Sequence, residues 1–340
     1  MYTLDGNIHN FLIEPDSRTR FLNDKKYSSC LLGLFIRYYP TRQINEVYYK
    51  MHHRYRFKPT IFLSGSIMDP FKKFLVNPTK SSANQQIKLK NWDPLYSWNK
   101  SKIDTATEME QFSKKISELQ YKLFAANNKS LLIILQGVDA SGKDGTIRQV
   151  MGALNPQNCY VKSFKAPNEN ELAHDYLWRI HIEVPSKGQI AIFNRSHYED
   201  IIEPSVNNLI SKDQVILRCT QINDFERYLS ENGTTIIKFF LHISKDEQKR
   251  RLQERIQDPA KQWKIKESDL LSHRDWDKYM GAYENILSRC NRKWAPWYII
   301  PANVKHFRNW VVSYIILKKL EIMKPEFPRV KLDASKFLID

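Results

Sequence analysis

The sequence lacks any apolar run long enough to cross a membrane, and its few cysteines form no framework. The longest apolar run near the start, CLLGLFI, is well short of the roughly 20 residues that a membrane helix needs. It also lies too far into the chain, and lacks the small-residue cleavage pattern, for a signal peptide. The four cysteines are far apart and form no C-x-x-C pair, which excludes an evident zinc or disulfide framework. These absences predict a cytoplasmic protein with reduced thiols and no membrane association.

Acidic residues are scarce relative to basic ones. The 340 residues include 53 Lys and Arg against 37 Asp and Glu, which gives a formal net charge of +16. A balance this basic predicts a polyanionic partner: nucleic acid, an anionic membrane surface or a polyphosphorylated ligand. Hydrophobic residues make up 42% of the chain, which is enough for a sizeable core.

The chain changes character near Met68. Residues 1–67 are dense in Tyr, Phe, Arg and His with weak periodicity, whereas MDPFKKFLVNPTK resembles a natural protein start. We interpret residues 1–67 as a poorly ordered or spurious N-terminal extension; a small basic accessory module is the competing interpretation. Residues 68–104 are then an N-terminal connector, 105–325 the main domain and 326–340 a C-terminal tail.

From Thr105 onwards, short apolar runs alternate with amphipathic segments. The predicted strands are LLIILQ, YVKSF, QIAIF, TIIKFFLHI and WYIIPA. The first predicted helix opens with a capping box of Thr107 and Glu110, and a later one covers NENELAHDYLWRIH and starts with Asn168 and Glu171. This alternation predicts an α/β fold with a parallel sheet flanked by helices.

The segment GVDASGKDGT (137–146) fits the phosphate-loop pattern G-x-x-x-x-G-K. It follows a predicted strand and opens a helix, the context in which that pattern is meaningful. Gly137 and Gly142 let the backbone wrap so that N–H groups point inward, and Lys143 adds a charge for phosphate oxygens. The helix start contributes further positive potential.

The position after Lys143 usually carries a Ser or Thr that holds Mg²⁺, but here it is Asp144. Asp144 in the first helical turn is expected to complement the helix dipole instead. Asp139, inside the loop, is the nearest candidate for the metal ligand, because one or two carboxylates suffice for Mg²⁺. We expect Thr146 to face the helix side.

A second polar segment, IFNRSHYED (192–200), lies where the strand QIAIF ends. Ligands bind beyond the carboxyl ends of parallel strands, so this segment is expected to face the phosphate loop. Arg195 is expected to clamp phosphate, while Glu199 or Asp200 orients the metal or the nucleophile. The alternative is that the two acids only cap the next helix.

Basic residues concentrate in KDEQKRRLQERIQDPAKQWKIK, and about half of them are expected to form a solvated face. Arg251 and Arg255 are four residues apart and share one helix face. A basic helical hairpin over a phosphate loop is typical of a lid that excludes water during phosphoryl transfer. We therefore predict a lid around residues 245–275.

Taken together, these segments resemble the family-2 polyphosphate kinases. The resemblance rests on GVDASGKDGTIRQVM, APNENELAHDYLWRIH, GQIAIFNRSHYEDII, ENGTTIIKFFLHISKDEQKRRLQER and APWYIIPAN followed by RNW, in the family's order. It extends from about Met68 to about Met323. It implies a P-loop kinase core with a helical lid, similar to thymidylate kinase. It also implies Mg²⁺-dependent phosphoryl transfer between inorganic polyphosphate and adenine or guanine nucleotides, in a homo-oligomer (dimer or tetramer).

The sequence NRSHYED is similar to the subclass of this family that accepts both AMP and ADP. Asn194 stands where Asp is common elsewhere, which moves the metal role toward Asp139 together with Glu199 or Asp200. The resemblance implies that Asp139, Lys143 and Arg195 are catalytic and that Asp139 and Glu199 hold the metal. The implied phosphate- and nucleotide-binding residues are Gly137, Gly142, Gly145, Thr146, Arg148, Glu199 and Asp200. The implied lid residues that bind polyphosphate are Arg251, Arg255 and Lys264.

Two other functions share parts of this pattern. An ATP-dependent nucleotide kinase of the thymidylate kinase type would use the same core with another donor. A P-loop ATPase that binds nucleic acid would also explain the positive charge. The sequence shows no helix-turn-helix, zinc finger or aromatic RNP-type strand, so we expect no nucleic-acid partner.

Overall fold

The computed structural model of the chain describes residues 69–78 and 86–329. The extension predicted for residues 1–67, and most of the tail predicted for 326–340, lie outside the described residues. Within the described part, no helix combines the length and the apolar character that a membrane span requires.

The described part alternates strands and helices as the sequence predicts. The strands are β1 (Ser130–Gln136), β2 (Cys159–Ser163), β3 (Ile190–Asn194), β4 (Thr234–His242) and β5 (Trp297–Pro301). The α-helices are α1 (Pro70–Lys73), α2 (Lys102–Ala126), α3 (Lys143–Val150), α4 (Glu169–Leu172), α5 (Trp178–His181), α6 (Glu199–Val206), α7 (Lys212–Glu231), α8 (Lys245–Gln257), α9 (Glu267–Arg274), α10 (Trp276–Arg289) and α11 (Lys305–Met323).

The five strands form one parallel sheet in the order β2-β3-β1-β4-β5. Every residue of β1 is buried, because β1 lies in the centre and helices cover both faces of the sheet. Leu135 near the end of β1 pairs in register with Asn194 at the end of β3. The phosphate loop and the segment after β3 therefore leave the same edge of the sheet side by side. The predicted α/β class and all five strands are confirmed.

The first long helix begins earlier than the sequence predicts. Ser101, not Thr107, is its N-cap: the Ser101 side chain accepts a hydrogen bond from the N–H of Asp104 at 3.1 Å. Thr107 lies inside α2, where its hydroxyl donates to the carbonyl of Ile103 at 3.1 Å. The predicted capping box is wrong because an earlier serine meets the same requirement.

The helix predicted over 168–181 is two short helices. The capping box of Asn168 and Glu171 is present and starts the first of them. The Asp175 carboxylate then accepts hydrogen bonds from the N–H groups of Leu177 and Trp178, which starts a new helix. Asp175 thus separates two short helices in a segment whose hydrophobic pattern predicts one continuous helix.

The predicted connector packs into the core. The N–H of Val76 donates to the carbonyl of Trp297 at 2.9 Å, and the N–H of Ile299 donates to the carbonyl of Phe74 at 3.0 Å. This antiparallel bridge covers the open edge of β5. Phe74 and Val76 are buried, so this part of the predicted connector packs against the α/β core.

Candidate active site

The phosphate loop, residues 137–142, joins β1 to α3. Gly137, Ala140 and Gly142 all have positive φ, at 150°, 62° and 104°, so the chain turns sharply over a few residues. A Cβ on Gly142 would lie 2.0 Å from Nη1 of Arg308, and φ there is in the left-handed region that favours glycine. Both conditions explain why glycine is needed at Gly142.

Lys143 is buried at the start of α3. Its Nζ donates to the carbonyls of Gly137 at 2.6 Å and Val138 at 3.2 Å. Burial lowers the pKa of Lys143, and the nearby charge of Arg195 lowers it further. The ammonium group therefore rests on its own loop, at the position where the sequence predicts a phosphate ligand.

Asp139 and Arg195 form an ion pair across the two segments that leave the sheet. The distance between Arg195 Nη2 and Asp139 Oδ1 is 2.6 Å. Burial raises the pKa of Asp139, but the charges of Lys143 and Arg195 outweigh that effect and hold the pKa below its usual value. Asp139 is thus an ionised carboxylate inside the loop.

Glu199, at the start of α6, lies close to the same charges. Burial raises its pKa to about 7, although Arg195 and Lys143 act in the opposite direction. When the amide of Gln136 is oriented to satisfy both of its ends, its nitrogen donates to Glu199 Oε1 at 2.9 Å. The structure thus brings together Asp139, Lys143, Arg195 and Glu199, as the sequence predicts.

Two predicted ligands turn away from the cleft. The hydroxyl of Thr146 donates to the carbonyl of Gly142 at 3.1 Å, within the helix, in agreement with the expectation that it faces the helix side. The carboxylate of Asp200 accepts two hydrogen bonds from the buried Arg179, at 3.0 and 3.3 Å. Thr146 thus bonds within the helix and Asp200 anchors the segment that carries Arg179, while the predicted binding role of both residues stays a prediction.

Arg251 also has a role other than the predicted one. Its side chain donates to Glu247 at 2.6 Å, to the carbonyls of Ala140 and Ser141 at 2.9 Å each, and to the carbonyls of Ala302 and Asn303. A guanidinium has five N–H donors, and all five are used here. All five donors hold protein oxygens, so Arg251 braces the phosphate loop while it also lines the cleft; its predicted contact with polyphosphate stays a prediction.

Gln248 and Arg251, both on α8, hold three consecutive carbonyls of the loop. The Gln248 amide donates to the carbonyl of Asp139 at 3.1 Å, and Arg251 takes the next two. In a planar trans peptide the carbonyl and the following N–H point in opposite directions. Holding these carbonyls therefore turns the N–H groups of Ala140 and Gly142 away from α8.

A cleft of about 1310 Å³ opens over the loop. Twelve Lys and Arg side chains and five Asp and Glu side chains line it, an excess of seven positive charges. Gly145, Arg148, Arg255 and Lys264 are among its lining residues. Arg255 donates to Asp269 at 3.2 Å, and the Nζ of Lys264 lies 5.0 Å from the ring centre of Trp263.

Comparison with known proteins places the chain in a family. The model of the family described as Polyphosphate kinase 2 (PPK2) matches residues 99–328. The chain belongs to the polyphosphate kinase 2 family.

Several known proteins are similar to this chain over most of their length. An AMP/ADP-polyphosphate phosphotransferase from Meiothermus ruber is 43% identical over 271 residues, which cover 79% of this chain and 100% of that protein. An ADP-polyphosphate phosphotransferase from Rhodopseudomonas palustris is 40% identical over 66% of this chain and 82% of that protein. The crystal structure of polyphosphate kinase 2 from Arthrobacter aurescens superimposes with a TM-score of 0.74 at 36% identity, covering 79% of this chain and 95% of that one.

Sequence reasoning missed one pairing and two further residues at the site of this PPK2 protein. Asn194 donates to Asp144 at 2.7 Å, which joins the two positions that depart from the usual phosphate-binding patterns. Both unusual residues are visible in the sequence. Their joint occurrence was the signal from which this hydrogen bond could have been predicted. Arg308 on α11 and Gln248 on α8 both contact the loop. These residues are distant from the loop in sequence, so no local pattern predicts the contacts.

Proposed function

We propose that this chain transfers a phosphoryl group between inorganic polyphosphate and the adenine nucleotides AMP and ADP, reversibly. The observation that carries the proposal is the cleft: it is directly above the phosphate loop and has an excess of seven positive charges. A long, flexible polyanion is the phosphate donor that such a cleft suits. The activities for which the relatives from Meiothermus ruber and Rhodopseudomonas palustris are named support the same substrates.

Transfer requires one new P–O bond and the loss of another. An oxygen of the acceptor phosphate attacks the terminal phosphorus of polyphosphate, and the P–O bond to the next phosphate of the chain breaks. The shortened polyphosphate leaves with that oxygen. The attacking group is already an anion, so no general base is needed, and the residues act through position and charge.

Lys143 and Arg195 are the residues best placed to stabilise the transferred group. Lys143 now binds loop carbonyls and Arg195 now binds Asp139, so each can exchange a protein acceptor for a phosphate oxygen. The N–H groups that α8 turns into the loop add further donors. Charge developing on the phosphate oxygens would then be met by groups that are already in position.

The carboxylates fit Mg²⁺ as the cofactor. The described residues contain no group of three or more His, Cys, Asp or Glu side chains that could hold a metal ion. A metal here would therefore need ligands from substrate or water as well. Mg²⁺ usually takes one or two carboxylates and completes its shell with substrate phosphates and water. Asp139 with Glu199 would supply these carboxylates. When bound, Mg²⁺ would neutralise charge on the phosphate oxygens next to Lys143.

We also propose a narrower lid than the sequence predicts. The first half of α8 is tied to the phosphate loop through Gln248 and Arg251. Arg255, Lys264 and the segment through α9 instead line the open side of the cleft. The residues after Leu252 are therefore the part that would close over polyphosphate.

A substrate matrix tests the proposed activity. AMP, ADP and GDP are each incubated with short and long polyphosphate, with and without Mg²⁺, and the nucleotide products are separated. We expect ADP from AMP and ATP from ADP, both dependent on Mg²⁺. Lys143→Ala is expected to lower the rate by about 10³-fold, because an electrostatic contact in the transition state is lost.

The same assay distinguishes the competing kinase. ATP is offered as the donor to a series of nucleotides in place of polyphosphate. Turnover with ATP but not with polyphosphate would overturn the proposal, and so would full activity of Lys143→Ala. Chelation that leaves polyphosphate-dependent transfer unchanged would remove Mg²⁺ from the mechanism.

The homo-oligomer and the cytoplasmic location stay predictions. The oligomer rests on the resemblance alone, and light scattering of the purified full chain would measure it directly. The location rests on the interpretation of the cysteines as reduced thiols. Cys159, Cys219 and Cys290 are free thiols in the described residues.

A further inference from the structure

A fully buried cluster of charged and polar side chains lies under the segment after β3. Lys238 on β4, Glu226 on α7, and His197 and Tyr198 before α6 are all 0% exposed. Lys238 Nζ donates to Glu226 at 2.6 Å, to the hydroxyl of Tyr198 at 2.8 Å and to the carbonyl of Cys290 at 2.7 Å. The three donors of the ammonium group are therefore all satisfied.

Glu226 is satisfied in the same way. One carboxylate oxygen accepts from Lys238, and the other accepts from the hydroxyl of Tyr198 at 2.7 Å, with the His197 ring 3.3 Å away. Burial raises the pKa of Glu226, but the charge of Lys238 outweighs it, so the carboxylate stays ionised. The cluster is thus a buried ion pair that bonds to Tyr198 and lies beside His197, and that is also bonded to the carbonyl of Cys290.

Stability alone does not account for such a pair. Removing two charges from water is costly, and neutral groups of similar shape are often equally or more stabilising in protein interiors. Buried pairs of this kind can instead fix one arrangement of the chain. The question is which part of the molecule this pair fixes.

The cluster holds the chain between two residues of the active site. Arg195 precedes the held residues and Glu199 follows them. Arg195 has φ of 65°, in the left-handed region, and its N–H donates to the carbonyl of Leu135 at 3.0 Å. A non-glycine residue keeps such a conformation only where its surroundings hold it, since it costs of the order of 1–3 kcal/mol. Residues 197 and 198, which follow Arg195 in the chain, are held by the buried pair and so restrain Arg195 from its C-terminal side.

We propose that Glu226 and Lys238 are positioning residues of the transfer reaction, which act through Tyr198 to fix Arg195 and Glu199 at the phosphate loop. The proposal rests on the function proposed above. It assigns a role in catalysis to an ion pair that touches no substrate.

The test replaces the pair by neutral side chains of similar shape. The double variant Glu226→Gln/Lys238→Met leaves no unpaired buried charge, so it is expected to fold with a melting temperature near that of the unmodified chain. Its kcat is expected to fall about 30-fold with less than about threefold change in KM, because displacing catalytic groups by about 1 Å costs up to 100-fold. An unchanged kcat in the folded variant would overturn the proposal.

A second variant guards against misfolding of the first. Tyr198→Phe removes only the hydroxyl that links the ion pair to the segment, and we expect kcat to fall about fivefold. Tyr160→Phe is the matched control, because Tyr160 donates to the carbonyl of Glu183 at 2.7 Å on the edge strand β2. Equal kcat values for these two variants would contradict the positioning role.

A mutant cycle separates positioning from loss of fold. If the pair acts through Arg195, Arg195→Lys should cost much less activity in the Tyr198→Phe background than in the unmodified chain. Additive losses would overturn the proposal. All variants are assayed with the donor, polyphosphate or ATP, that the unmodified chain uses. A wrong donor therefore contradicts the proposed function, whereas equal activities contradict only the positioning role.

A crystal structure of the double variant supplies a readout that needs no activity. We expect φ of Arg195 to leave the left-handed region and the segment 195–199 to shift. An unchanged segment in that structure would count against the proposal whatever the rates are.

Discussion

The first half of α8 and the segment that follows it carry the same kinds of basic side chain in very different surroundings. Arg251 is 6% exposed, and every one of its donors binds a protein oxygen. Lys264, in the following segment, lines the open cleft and contacts the exposed ring of Trp263. One basic run therefore contains a fixed part, up to Leu252, that contacts the phosphate loop, and an outer part after Leu252 that lines the cleft.

The difference shows that charge alone does not identify a phosphate ligand. Arg251 and Arg308 both line the cleft, but both donate to the carbonyl of Ser141, so their side chains are already engaged by the loop. Burial and the nearby charge of Arg251 lower the pKa of Arg308 to about 9. In the function proposed above, the outer basic residues would contact polyphosphate directly, through interactions that salt and solvent weaken by screening.

Gly142→Ala should have the largest effect on activity, because it changes the phosphate loop where the loop backbone lies against Arg308. The new Cβ would lie 2.0 Å from Nη1 of Arg308 at a φ of 104°, so both the loop and the arginine must move. We expect activity to fall by more than about 10³-fold, because the loop donors lose their alignment. The measurement is the rate of ATP formation from ADP and polyphosphate.

Gly281→Ala is its control. A Cβ on Gly281 meets nothing within 4 Å, and the residue lies within α10. Activity should be unchanged, and stability should rise by roughly 0.5–1 kcal/mol because glycine is a poor helix former. Equal activities for the two glycine variants would refute the close-contact explanation.

Arg251→Lys should have the next largest effect. A lysine has three donors and cannot reproduce five bonds in a planar arrangement, so loop carbonyls lose their partners. We expect kcat/KM to fall about 100-fold and the melting temperature to fall by several degrees. Arg250→Lys, at a neighbouring side chain that is 56% exposed, should change neither. Wild-type behaviour of Arg251→Lys would mean that the loop keeps its shape unaided.

Lys264→Ala should affect the outer part alone. We expect the KM for long polyphosphate to rise about three- to tenfold, with the KM for AMP, kcat and the melting temperature almost unchanged, because one screened contact to the polyanion is lost. Added salt should narrow the gap between the variant and the unmodified chain. The control is Lys249→Ala on the exposed face of α8. A fall in melting temperature instead would place Lys264 in the fixed part.

A prediction about His242 tests the fixed part through the free energy of unfolding instead of the activity. It ends β4, and its carbonyl accepts from the N–H of Ala302, whose own carbonyl binds Arg251. Burial lowers the pKa of His242 to about 4, so the unfolded chain binds a proton from about pH 6.5 downward while the folded chain does not. The free energy of unfolding should therefore fall with pH in this window, by roughly 2 kcal/mol between pH 7 and pH 5.

Urea denaturation at several pH values measures this loss. His242→Gln should flatten the dependence of the unfolding free energy on pH by the same amount. An equal slope in both proteins would show that His242 does not carry the effect.

Much of the fold could be predicted because its signals are local. β1 is a continuous apolar run, as a strand with both faces covered must be, and the glycines of the loop stand at the spacing that a phosphate-binding turn requires. The start of α2 was missed because Ser101 and Thr107 offer equivalent caps. The local sequence does not determine which of the two residues caps the helix. That depends on how much of the helix packs against the rest of the protein.

The amino-acid sequence by itself determined the alternating fold, the phosphate loop and the family, since each depends on residues that are neighbours in the chain. Only the tertiary structure decided that Arg251 braces the loop, that Asp200 faces Arg179 and that Lys238 and Glu226 pair under the active site. Those partners are separated in sequence by 12 to 111 residues. Their contacts exist only after the sheet and its helices have packed, because burial then leaves each charged group with a single set of partners.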